Sequence, residues 1–139
     1  IGGENVTQSL IKKLGESLEE IENFKDEEGL RAKPDSPGLE AILSTVSAFA
    51  DEVIRHYHYW DTHRDKSNLR TTRVGHVVLV GVATNLKGLT DYVAHRVHAR
   101  TDRGMIWDNV CSFEEYIPPI DYRTSLQYAT AVGLALRAI

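Results

Sequence analysis

VGHVVLVGVATNLKGLTDYVAHRV, residues 74–97, changes its period in the middle. Val77–Val80 is a β-branched apolar run flanked by Gly75 and Gly81, which predicts a short buried strand rather than a turn of helix. Gly81-Val82-Ala83-Thr84-Asn85 then forms a small-residue loop, and an amphipathic helix is expected from Leu86 to about His98, with Gly88 inside it. In α/β folds, ligands sit just outside the carboxyl ends of strands, where small residues let the backbone approach closely. A loop of this kind lays amides near an anionic group, and the helix that follows adds positive potential. A strand–helix turn that holds no ligand accounts for the same residues.

Further along, Gly104–Trp107 is expected as a second short strand, and the Ile117-Pro118-Pro119-Ile120 turn excludes a continuous helix. Thr124 with Gln127 gives a capping signature for a terminal helix carrying Leu126, Ala129, Val132, Leu134 and Leu136. Towards the amino end, Asn5 with Gln8 starts a first helix with Leu10, Ile11 and Leu14 as its apolar face, and Gly15 stops it. Ser17 with Glu20 opens a second helix to about Glu28, ended by Gly29, and its acidic first turn suits the helix dipole. After a connector over Arg31–Gly38, Ser36-Pro37 reads as an N-cap followed by proline at the first helical position. A long helix runs from Leu39 to about His63, with Ile42, Leu43, Val46, Phe49, Ala50, Val53, Tyr57 and Trp60 as one core-facing stripe. Arg64–Arg73 is a polar loop. The architecture predicted is a helix-rich α/β fold with a small sheet.

A chain of 139 residues fits one domain and can bury a real core. Its formal charge of -4 and scattered Lys and Arg lack the basic footprint of a nucleic-acid binder. A single cysteine, Cys111, excludes an intramolecular disulfide and offers no metal spacing, so a half-buried structural thiol is expected. No apolar run approaches the roughly 20 residues that span a bilayer, and no signal peptide is visible, so the cytoplasm is the default compartment.

Taken together, residues 74–97, the SFEEYIPPI segment and the SLQYATAVGLALR ending resemble the C-terminal end of the actin-like ATPase fold. The pattern is most similar to the PilM family of type IV pilus assembly proteins, with the FtsA family as more distant kin. IGGENVTQSLIKKLGESLEEIENFK resembles the segment where a Gly-Gly turn enters the family's helical subdomain, and IRHYHYWDTHRDK its long helix before the adenosine-binding strand. The resemblance implies the C-terminal half of an actin-like (ribonuclease H-like) ATPase fold. Residues 4–73 would form the helical subdomain and 74–139 an adenosine-side subdomain. It also implies that the family's first phosphate loop and catalytic carboxylates lie in an N-terminal half that this chain does not contain.

On that resemblance, three clusters converge on ATP, with Mg in the full-length protein. They are Gly81, Thr84, Asn85 and Gly88; Glu22 with Lys25, matching an Ala-Glu-x-x-Lys pattern; and Gly2, Gly3 and Thr7. The chain departs from the family at Val82-Ala83, where further glycines are usual, and at Ile21 in place of alanine. A β-branched Val82 resists positive φ. Taken alone, Glu22 and Lys25 are expected as a solvated surface pair. The family further implies a cytoplasmic scaffold, peripheral to the inner membrane through pilus assembly partners, with possible self-association. Hydrolysis is not expected of this chain, because phosphoryl transfer needs phosphate cradles and metal carboxylates. An FtsA-like, chaperone-like or sugar-kinase-like member of the superfamily, or a structural fragment that binds no nucleotide, remains as an alternative.

His56, His58, Asp61 and His63 attract attention as zinc ligands, but His56 and His58 point to different helix faces and Trp60 lies between His56 and His63. Packing and surface aromatics explain them better. His95 and His98, near a helix C-terminus, are dipole partners. Phe113–Ile120 reads as a loop pinned by its own apolar residues, or as a docking edge.

Overall fold

The computed structural model describes residues 2–64 and 73–137. Three helices come first: α1 (Gly3–Leu14), α2 (Leu18–Glu27) and α3 (Pro37–Thr62). Strand β1 (His76–Leu79), helix α4 (Leu89–Val97) and strand β2 (Arg100–Arg103) follow, then α5 (Tyr122–Ser125) and α6 (Ala129–Leu136). Short 3-10 turns occupy Gly29–Arg31, Val82–Asn85 and Leu126–Tyr128.

Local chemistry explains most of the helix ends. The Ser17 N–H donates to Glu20 Oε2 at 2.9 Å while the Glu20 N–H donates to Ser17 Oγ at 3.3 Å, a reciprocal capping box. Ser36 Oγ accepts from the Leu39 N–H at 3.2 Å, with Pro37 at the first helical position. Gly15 closes α1 in the left-handed region at φ 66°. The start of α1 differs from the expectation at Asn5. The cap is Gly2, and Asn5 Oδ1 reaches back to accept from the Gly2 N–H at 3.2 Å, so Asn5 lies inside the first turn. At the other end, Asp121 caps α5 by accepting from the Thr124 N–H at 3.0 Å and the Thr124 hydroxyl at 2.7 Å. Thr124 is therefore the capped residue rather than the cap.

The core is shared between the helices and the sheet. Val6 and Leu10 of α1, Ile21 of α2, and Ile42 and Val46 of α3 pack with Leu79 of β1 and Leu89, Val93 and Val97 of α4. The α3 stripe is narrower than its sequence suggests: Ile42, Val46 and Ala50 are buried, Phe49, Val53 and Tyr57 partly so, and Leu43 and Trp60 are exposed. The terminal helix departs further, because α6 buries no residue and, of its expected apolar face, Leu126 alone, before the helix, is fully enclosed.

β1 and β2 form a parallel two-stranded sheet in which His76 pairs with Arg100 and Leu79 with Arg103. The strand begins one residue earlier than the apolar run and is not buried throughout: His76 and Val78 face solvent and Leu79 faces the core. The second strand lies at Arg100–Arg103, not at Gly104–Trp107. Asp102 Oδ2 lies 2.9 Å from His76 Nε2 across the ladder and accepts from Arg100 Nε at 2.7 Å along its own strand. Gly104 instead ends the strand. Its N–H donates to the Leu79 carbonyl at 2.9 Å, and a Cβ there would come 2.7 Å from Val80 Cγ1. The expected polar loop at 64–73 lies largely outside the described residues.

Candidate functional site

The site grows from the carboxyl end of β1. Gly81 adopts φ 99°, a conformation that side chains resist, and donates its N–H to the Leu126 carbonyl at 3.0 Å. Its own carbonyl accepts from the Thr84 N–H at 3.1 Å and the Thr84 hydroxyl at 2.7 Å. These bonds wind residues 82–85 into a 3-10 turn instead of an open loop. Thr84 is buried and its hydroxyl is used inside the turn. Val82 does not carry a positive φ, so its β-branch costs the turn nothing; its side chain is 49% exposed. The left-handed residues are Gly81 and Gly88, both glycine already. Gly88, at φ 84°, caps α4, which therefore starts three residues later than Leu86.

Lys87 fastens this turn to the end of α2. Its N–H donates to the Lys25 carbonyl at 3.0 Å, and its carbonyl accepts from the Leu30 N–H at 2.9 Å. Its Nζ donates to the Glu27 carbonyl at 2.5 Å. The Glu22–Lys25 pair is only half the solvated pair that the sequence suggests: Glu22 is exposed and Lys25 is not. Lys25 is only 9% exposed, and its Nζ donates to Glu22 Oε1 at 2.7 Å, Glu22 Oε2 at 2.9 Å and Thr7 Oγ1 at 3.0 Å. The packing of α1 on α2 shields it, a long-range event that helix spacing cannot report. Gly3 lies against Ala83, whose Cα and N would be 3.4 Å from a Cβ at Gly3. The three sequence clusters thus come together in space, but Gly3, Thr7, Lys25 and Thr84 are spent on each other and on the turn.

What remains open is a groove of about 370 Å³ between α2, the 82–85 turn and α5. Val82, Asn85, Asp26 and Arg123 line it, with Gln127 beyond. Asn85 Nδ2 donates to the Arg123 carbonyl at 3.1 Å, whereas its Oδ1 is buried with no donor among the described residues. Arg123 pairs with Asp26, and that hydrogen bond holds the guanidinium above its ordinary pKa. Asp121 sits at the mouth, its carboxyl held below the usual range by the Thr124 hydroxyl and amide. Asp26 and Arg123 are absent from the sequence reading, and Gln127 enters it only as a capping partner. The one available signal was that Asp26 follows Glu22 by four residues and so shares its helix face.

No group of three or more His, Cys, Asp or Glu side chains among the described residues could hold a metal ion. His56 instead lies 3.0 Å from Glu52 Oε1. Tyr59, Trp60 and His63 stack their rings at 5.2–5.4 Å between centroids. Among the described residues, no helix is long and apolar enough to cross a membrane.

No curated protein matches the chain. Among solved structures, one chain of a "PilM-PilN type IV pilus biogenesis complex" superposes with a TM-score of 0.65 at 19% identity. The match covers 97% of this chain and 36% of that one, so this chain spans little more than a third of its neighbour's length. The shared fold is the C-terminal part of an actin-like fold, helix-rich with a small parallel sheet. The profile of a family described as "Type IV pilus assembly protein PilM" matches residues 1–139, from end to end, and the chain belongs to that family.

Proposed function

We propose that this chain supplies the adenosine side of an ATP-binding cleft to a cytoplasmic, actin-like scaffold of type IV pilus assembly. The observation that carries the reading is Asn85, whose Oδ1 is a buried acceptor with no donor among the described residues, beside a groove that opens where β1 ends. An adenine amine or a ribose hydroxyl is a donor of the right kind. Glu22 and Asp26, on one face of α2, would accept from ribose hydroxyls, and the space beside Gly81 would let the α-phosphate come close. ATP would bring the phosphate chain and Mg, for which the described residues offer no cradle. Binding and orientation are therefore the work assigned here, not hydrolysis. Partners follow the same reading: the neighbour is a PilM-PilN complex, and contact with inner-membrane pilus assembly proteins, with peripheral attachment to that membrane, is proposed for the longer protein.

Calorimetric titration with ATP tests the site. The protein is expected to give saturable heat that adenosine and ADP compete away and GTP does not. Asn85→Leu, which removes the acceptor, is expected to weaken binding by about tenfold. Absence of heat from protein shown folded by circular dichroism would sink the nucleotide reading. One observation favours a second reading, a structural module without nucleotide: Lys25 is saturated by Glu22 and Thr7, and Gly3 is covered by Ala83.

A further inference from the structure

A second groove, of about 390 Å³, shares Asp26, Asn85 and Arg123 as a wall with the first and opens toward β2 and the start of α4. Its charge is opposite to that of the chain. Arg31, Lys87, Arg103 and Arg123 line it against only Asp26 and Asp91, in a protein whose formal charge is -4. Arg31 and Arg123 are paired, with Asp91 and Asp26 respectively. The other two cations have no carboxylate partner in any described contact: Lys87 Nζ donates to a backbone carbonyl, and the Arg103 guanidinium lies 5.3 Å from the Tyr122 ring centroid. Stacking on Tyr122 holds Arg103 in place without neutralising it. Gly88 caps α4 without a side chain and packs against Leu30 and Arg31, which brings the 29–31 turn to the groove.

We propose that this groove docks an acidic peptide segment of a partner protein, a role beyond the nucleotide reading. Charge complementarity carries the inference. The four cations stand on separate elements: the 29–31 turn, the second residue after the 82–85 turn, β2 and α5. A string of carboxylates can meet cations that come from four elements. Tyr122 and Leu86 add an aromatic and an apolar wall for the peptide's backbone and carbon stems.

The test is fluorescence anisotropy of labelled decaglutamate with the protein, in the absence of nucleotide. Binding is expected at low salt and is expected to weaken as salt rises. Reversing both unpaired cations, Lys87→Glu with Arg103→Glu, is expected to weaken it by about tenfold or more. The neutral pair Lys87→Gln with Arg103→Gln should fall between, and Arg55→Glu on α3 should leave binding unchanged. Lys87 and Arg103 do not line the first groove and the assay holds no nucleotide, so the result does not depend on whether ATP binds next door. The proposal is overturned if decaglutamate fails to bind, or if the folded charge-reversal variant binds as well as the parent. It is equally overturned if inorganic phosphate displaces the peptide at matching concentration, which would mark a simple anion site.

Discussion

Replacing Gly29 with alanine should be among the most damaging single-methyl additions in this fold. Gly29 follows α2 at φ 51°, and a Cβ there would stand 2.6 Å from the Lys87 carbonyl oxygen and 3.0 Å from the Lys87 N and Cβ. Two costs arise. Forcing a side chain into the left-handed region costs about 1 kcal/mol. Overpacking against backbone that cannot swing aside costs about 1–3 kcal/mol more, including damage to the 2.9 Å bond from the Leu30 N–H to that carbonyl. Gly15 supplies the internal control, with φ 66° but nothing within 4 Å of its Cβ position. Gly15→Ala should therefore lose about 1 kcal/mol and Gly29→Ala about 2–4 kcal/mol. For a chain of this size the latter is a melting-point drop on the order of 10 °C. Urea unfolding followed by circular dichroism, with equal m-values, measures both. Equal losses at the two glycines would refute the close approach of Gly29 to Lys87.

The remaining predictions concern charge. Lys25→Ala should destabilise by about 2 kcal/mol, since it strips a shielded ion pair and a packed stem, and Lys25→Met should recover part of that loss in the same urea assay. A Lys25→Ala variant as stable as the parent would contradict the burial seen here. Asp121 has its folded pKa lowered, first by the Thr124 side chain, so its contribution is complete above the unfolded value near 4 and is lost as pH falls through the folded value. Asp121→Asn keeps an N-cap oxygen, so stability at neutral pH should change little, while the loss between about pH 4 and pH 2 should become shallower. Parallel acid profiles for the two proteins would refute it.

Where the sequence could be read, the chemistry was local. Ser17 with Glu20, Ser36-Pro37 and Gly15 each fix a helix end with partners no more than four residues away. The small-residue turn after β1 was legible for the same reason, and so was its neighbourhood with Glu22 and Gly3 once the resemblance supplied a fold. Arg100–Arg103 was not, because Arg-Thr-Asp-Arg has no apolar alternation and becomes a strand only by pairing with β1. The start of α4 was misplaced because Leu86 and Leu89 keep helical spacing while Gly88 breaks the helix between them. At the site, the burial of Lys25 and the orphaned Asn85 oxygen depend on α1 and α5 arriving from distant parts of the chain. No spacing rule encodes them.

Lys87 has a consequence for motion. One residue ties the turn after β1 to α2 and to the 29–31 turn through both of its backbone groups and its ammonium. Displacing the turn against α2 must break these bonds nearly together, which makes small independent excursions costly and a single concerted opening the cheaper route. The amide protons of Leu30 and Lys87 would then exchange with solvent at matched rates, reporting one shared event. Any signal that reaches the turn, from a nucleotide on one side or a peptide on the other, would be passed to the helices as a rigid displacement rather than absorbed locally.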